Sequence, residues 1–167
     1  MPKGLKPTSS PIIISHNIQE SGANTFTQDT IDLQLNPLDN EVLIVLAIDL
    51  DPSSPEVDAG GGGSGTNLSC SITSRTTVGN IGDTNVIGAA TKRIQAGLVP
   101  FSSMSPDGPQ AAGLDYIAVV ATSDLFVQIE GNNNTNARDG RVRLWCQRAR
   151  ADGSTYAALV QSEMLSG

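Results

Sequence analysis

The chain has 167 residues, enough for one domain with a sizeable core, and only 16% of them are charged against about 25% in an average domain. Its net charge of −7 disfavours non-specific binding to nucleic acid or to an anionic membrane surface. No run reaches the roughly 18 apolar residues that a membrane-spanning helix needs, and the opening MPKGLKPTSSP lacks the apolar stretch of a secretory signal.

Residues 1–11 hold three prolines and no periodicity, and read as an extended arm ahead of a single domain over 12–167. Ile12, Ile13 and Ile14 open a first strand. Phe26 to Leu35 follows, with Ile31, Leu33 and Leu35 facing in and Asp32 and Gln34 facing out. A turn over 36–40 leads to Val42–Ile48, seven consecutive apolar residues with acidic and proline-containing flanks. So short a run, rich in valine and isoleucine, predicts a central strand buried on both faces, hairpin-paired with the strand before it. Val42, Ile44, Leu46 and Ile48 are expected core residues. Pro52 to Gly65 contains GGGGSG, in which regular structure is disfavoured, and reads as a long loop.

Beyond it, Leu68, Cys70 and Ile72 alternate with Ser69, Ser71 and Thr73, a strand with one apolar and one hydroxyl face. Val86 to Ala90 reads as strand rather than short helix, 98–101 adds a few extended residues, and 102–113 is a loop. Leu114 to Ala121 is a second apolar strand with Val119 in the core. Leu125 to Ile129 and Arg141 to Ala149 are expected hairpin partners around the tip GNNNTNARDG, with Leu144 facing in. Residues 156–165 form either a last strand or a terminal helix. About eight strands with long loops predict an all-β, antiparallel eight-stranded sandwich, a jelly roll before an immunoglobulin-like fold.

Few residues suggest chemistry. His16 is the single histidine, and without an activated serine or cysteine beside it the expectation is a solvated or hydrogen-bonded ring. Asp49, Asp51, Glu56 and Asp58 form an acidic stretch that is either a solvated loop or a set of hard-oxygen ligands for Ca²⁺; no other cofactor is indicated. The asparagine-rich tip is either a hairpin loop or a place for calcium or a sugar. GGGGSG lacks the Lys-Ser/Thr of a phosphate loop. Cys70 and Cys146 share the apolar parity of their strands, and buried free thiols in a cytosolic setting are expected over a disulfide.

Charge layout is the most informative feature. Between Glu20 and Asp58 lie nine acids and no base, whereas Arg138 to Arg150 holds five arginines and one acid. Arg138, Arg141, Arg143 and Arg148 with Trp145 on one side, and Asp49 and Asp51 on the other, predict a head-to-tail contact between copies. An ordinary solvated face and a phosphate-binding strip are the alternatives, the second opposed by the net charge.

An arm with prolines, about eight strands, long Gly/Ser/Asn loops and no catalytic set together resemble the small single jelly-roll capsid proteins of tailless icosahedral viruses. That resemblance spans roughly 12–165 in architecture. It implies a non-enzymatic coat subunit, made in a host cytoplasm and located in the virion. Its partners would be copies of itself and other capsid proteins, with loops at the sheet ends making contacts and Ca²⁺ a candidate at those contacts. The arm departs from the strongly basic arm of many RNA-packaging relatives, since only Lys3 and Lys6 are present, and strong nucleic-acid binding is not expected. A carbohydrate- or Ca²⁺-dependent binding sandwich, or a fibre head, is the second reading.

Overall fold

The structure is a computed structural model that describes residues 3–57, 62–95, 101–104 (backbone only) and 114–166. Among the described residues ten strands and one α-helix follow in order, with a single 3-10 turn at Pro37–Asp39: β1 Leu5–Pro7, β2 Ile12–Gln19, β3 Thr27–Asp32, β4 Glu41–Pro52, β5 Ser64–Ser71, β6 Val86–Gln95, β7 Phe101–Met104, β8 Ala118–Val120, β9 Asp124–Asn132, β10 Asp139–Ala151 and α1 Gly153–Leu165. They form two antiparallel five-stranded sheets. In sheet A, β10 lies between β4 on one side and β2 and β1 on the other, with β8 beyond β4. Sheet B has the order β3-β9-β5-β6-β7.

Without β1 and β7, eight strands pair in a nested way: first with last (β2–β10), second with seventh (β3–β9), third with sixth (β4–β8) and fourth with fifth (β5–β6). A long antiparallel ribbon rolled up on itself produces this pattern. The rolled ribbon closes through β10–β4 and β9–β5, and the result is a jelly roll.

The nested order corrects two expected hairpins. β3 and β4 stand in opposite sheets, as do β9 and β10, so neither consecutive pair is bonded. In a rolled ribbon most chain neighbours cross between sheets, and only β5–β6 turns back beside itself among the eight.

The main core lies between the sheets and contains Leu43, Val45, Leu50, Leu68, Leu125, Val127, Ile129 and Leu144. Gly88 lets β6 approach β4 closely, since a Cβ there would sit 3.2 Å from Ile48 and 3.3 Å from Leu50. A second cluster lies outside sheet A, where Val42, Ile44, Ala149 and Ala151 meet Tyr156, Leu159 and Val160 of α1. This explains the long apolar run: its first half is buried on both faces because α1 covers the outer one. Val42, Leu43, Ile44 and Val45 are at most 1% exposed, whereas Ala47 beyond the helix is open to solvent. A bulge opposite Trp145 and Cys146 lets Leu46 and Ala47 interrupt the alternation, after which Ile48 and Leu50 return to the core. Of the expected core residues, Val42, Ile44, Ile48 and Leu144 are buried, while Leu46 and Val119 are half-buried against the helix cluster.

The C-terminal segment is helical because Tyr156, Leu159, Val160 and Glu163 share one face at helical spacing, and the Asp152 carboxylate caps the Thr155 N–H at 2.7 Å. Sheet B is also covered. The 72–85 connection lies on its outer face, where the Gly79 N–H reaches the Ser69 hydroxyl at 2.9 Å and Ser69 donates to Gln128 at 2.7 Å. The hydroxyl face of β5 is therefore buried rather than solvated. The N-terminal arm lies on its own chain, with β1 paired to the end of β10 and Thr8 N–H bonded to Arg148 O. The expected extended residues at 98–100, and 105–113 of the expected loop, lie outside the described residues, and 101–104 are strand.

Candidate subunit interface

One end of the sandwich gathers residues 20–26, 53–57, 62–63 and 133–138. Glu20, 4% exposed, accepts from the backbone N–H groups of Gly131 (2.6 Å), Arg138 (2.7 Å) and Thr25 (3.0 Å). Glu56 accepts from the Asn136 side chain at 2.7 Å, from the Asn136 and Thr135 backbone, and from the Arg138 guanidinium at 3.1 Å. Those bonds, led by the Asn136 amide, hold the Glu56 carboxyl below its ordinary value. The buried Asn134 donates to Gly65 O and accepts from Glu56 N–H. These carboxylates and amides are spent on tying three loops together.

The calcium candidates are spread over this end and the neighbouring strand. Asp49 and Asp51 lie on the outer face of β4, and Glu56 lies in the loop knot. Asp58 lies outside the described residues. Among the described residues no three His, Cys, Asp or Glu side chains gather into a metal-binding group. In the asparagine tip, Asn133 donates to Gly63 O, Asn136 is held by Glu56, and Asp139 pairs with Arg141 at 3.3 Å.

The arginine strip has partners within its own chain. The β10–β4 register sets Arg141 opposite Asp51 and Arg143 opposite Asp49 within one chain. Arg141 reaches Asp51 at 3.4 Å, and Lys92 of sheet B reaches the same carboxylate at 2.9 Å. The Lys92 hydrogen bond, with both cations' charge, keeps the Asp51 carboxyl below its usual range. Arg138 pairs with Glu56, and Arg150 with Asp39 at 3.2 Å. Arg148 turns toward the end of the sandwich, where it holds Glu41 at 3.0 Å and Leu33 O at 2.8 Å. Burial alone would raise the Glu41 carboxyl, but the Asn36 backbone N–H and Arg148 together lower it. The attraction expected between copies is thus supplied inside each copy.

Trp145 lies on the outer face that Arg141 and Arg143 share. Half-buried on the outer face of sheet A, it has Ile13 beside it on β2 and Ala47 beside it on β4. Ile13 is 62% exposed. The row Ile13–Trp145–Ala47 forms an apolar band between α1 and the Arg/Asp ladder. Periodicity placed Trp145 outward but gave no hint of Ile13 as its neighbour, because register is not written in either strand alone.

The nucleophile candidates are tied up. His16 Nε2 lies 2.9 Å from the Asp29 carboxylate, a bridge from β2 to β3 across the side of the sandwich. Cys70 and Cys146 are free and buried, and burial pushes both thiols up to about 12. Two structural carboxylates escaped sequence reading, Glu20 and Glu163. Their only signal is an acid placed on an otherwise apolar or turn-forming segment. No helix among the described residues is long and apolar enough to cross a membrane.

No family model matches the chain, and no curated protein matches it in sequence. Among solved structures, it is similar to VP1 of Trichodysplasia spinulosa-associated polyomavirus in complex with 3'-sialyllactose. That likeness has 7% identity, covers 89% of this chain and 97% of that one, and has a TM-score of 0.44. The same VP1 with sialylated precision glycooligomers is 6% identical over 91% of this chain and 97% of that one, with a TM-score of 0.39. At such identities the likeness is one of architecture, and the jelly-roll assignment stands on the nested strand pairing itself.

Proposed function

We propose that this chain is a structural subunit that associates with copies of itself into a closed shell, as a viral coat protein located in the virion. Jelly rolls serve chiefly as coat subunits, lectins and cupins. Lectins and cupins need open polar groups to hold a sugar or a metal. The observation that carries the choice is the knotted loop end: Glu20, Glu56 and Asn134 spend their oxygens on backbone and side-chain N–H groups of neighbouring loops. The exposed Ile13 beside half-buried Trp145 supports the same choice, since an aromatic with an apolar neighbour suits a protein contact.

Static light scattering of the purified protein across salt and concentration tests this reading. Particles many times the 17.3 kDa subunit mass are expected, and a monomer throughout would refute it. A calcium titration separates the rival binding-module reading. The melting midpoint should stay where it is, whereas a midpoint rising with calcium would point to a site held only by the native state.

A further inference from the structure

Sheets end in edges, and edges left bare are places where another chain can pair. β8 exposes a short edge of three residues. β3 carries Asp29 and Asp32. β7 is four residues long and continues into residues outside those described. β2 differs from all of them. It runs for eight residues, IIISHNIQ, without a proline, a glycine, an acid, a lysine or an arginine. Among the described residues no strand lies beyond it.

Its backbone is set for pairing. Glu20 N–H donates to Arg138 O at 2.9 Å, one step beyond the Gln19–Asp139 pair of the β2–β10 ladder. In an antiparallel ladder such bonded pairs recur at every second residue. Ile12, Ile14, His16 and Ile18 therefore direct their amide and carbonyl groups toward β10. Ile13, Ser15, Asn17 and Gln19 direct theirs away from it, and all four residues are exposed. The His16–Asp29 bridge pins the strand from the inner side, so the edge is held straight before any partner arrives.

We propose that this edge pairs antiparallel with the same edge of a second copy about a two-fold axis, joining the two copies' sheets A into one. The inference rests on the reading that copies associate, and it names where they do so. A second copy is the fitting occupant for three reasons. The two-fold arrangement satisfies both copies' outward groups at once. The strand carries no acid, so two molecules of net charge −7 meet there without like charges in contact. Joining the sheets also places Ile13 against a partner strand and extends the apolar band that begins at Trp145 and Ala47.

The double variant Ser15→Glu, Asn17→Glu tests the seam. Within its own chain each new carboxylate stands across from Arg143 or Arg141, so the fold is supported, and an unchanged melting midpoint checks it. At the seam the carboxylates of two copies face each other. The control Thr76→Glu, Thr77→Glu alters net charge equally at exposed sites in the 72–85 connection, on the other sheet from β2. The expectation is slow amide exchange at Ser15 and Asn17 in the wild type. The double variant should lose mass by light scattering, about twofold or more, with fast exchange at those two positions, while the control stays assembled. Assembled wild type with fast-exchanging edge amides overturns the seam and leaves the shell reading standing, as does a double variant of wild-type mass. A wild-type dimer that grows no further but dissociates in the double variant supports the seam and refutes the shell. A monomeric wild type with fast edge amides overturns both.

Discussion

Buried polar side chains in this molecule act as fasteners. Glu20, Glu163 and Gln128 are nearly or wholly removed from solvent, yet each has partners that satisfy it. An unsatisfied buried group costs about 1–3 kcal/mol, so such residues hold loops in one arrangement. The cysteines show the opposite behaviour. Cys70 and Cys146 sit in the same core, and each thiol resists ionisation because its thiolate would lie in apolar surroundings. Both should be inert to an aromatic disulfide reagent at neutral pH in the native state, and both should react on addition of denaturant. Stoichiometric reaction with native protein, measured by absorbance, would contradict that burial. Arg148 teaches a related lesson about charge. It looked like part of a contact strip, but its guanidinium brackets the connection between β3 and β4 through Leu33 O, Gln34 O and Glu41.

At the scale of elements, α1 behaves as a strap over sheet A. Its start is capped by Asp152, and near its end the Glu163 carboxylate accepts the backbone N–H groups of Ala121 (2.7 Å) and Thr122 (2.9 Å). Asp152→Ala should lower the midpoint slightly through the lost cap. Glu163→Ala should cost about 1–3 kcal/mol, because two N–H groups at the β8–β9 turn lose their acceptor. Urea melts followed by circular dichroism measure both, and an unchanged midpoint for Glu163→Ala would show the strap to be dispensable. Individual strands were largely legible: period-2 alternation placed Ile31, Leu33 and Leu35 inside and Asp32 and Gln34 outside, as observed. The helix was harder to read because one of its four inward positions is Glu163. Pairing was the least legible, since a rolled ribbon sends chain neighbours such as β9 and β10 to opposite sheets. The contact surface suffered from the same gap. Without register, Arg141 and Asp51 look like partners on different molecules rather than neighbours on one ladder.

For the whole molecule, acid should act through the ends and the outer face before it reaches the core. Glu41, Asp51 and Glu56 all have folded-state carboxyls lowered below their ordinary values. A lowered folded value means stability that is present above the unfolded value and lost as pH falls through the folded one. Stability should therefore hold steady through neutral pH and decline below about pH 4. Melting midpoints across pH test this, and a decline beginning near pH 6 would implicate a different group. Added salt should weaken the exposed Arg141–Asp51 pair most, since 59% and 56% of those side chains is exposed.

The nested pairing also sets a timetable. Among the described strands β10 is made after all the others, yet it is the strand that β2, β1 and β4 all bond to. Until it arrives, sheet A among the described residues has only the short β4–β8 ladder, and pairings between strands far apart in the chain are slow to form. Sheet A therefore completes its pairing only after β10 has been made. The bare edge of β2 exists as an edge only once β10 has docked on its other side. A chain in which β10 has not docked cannot present it, so the seam becomes available to a second copy only after that step.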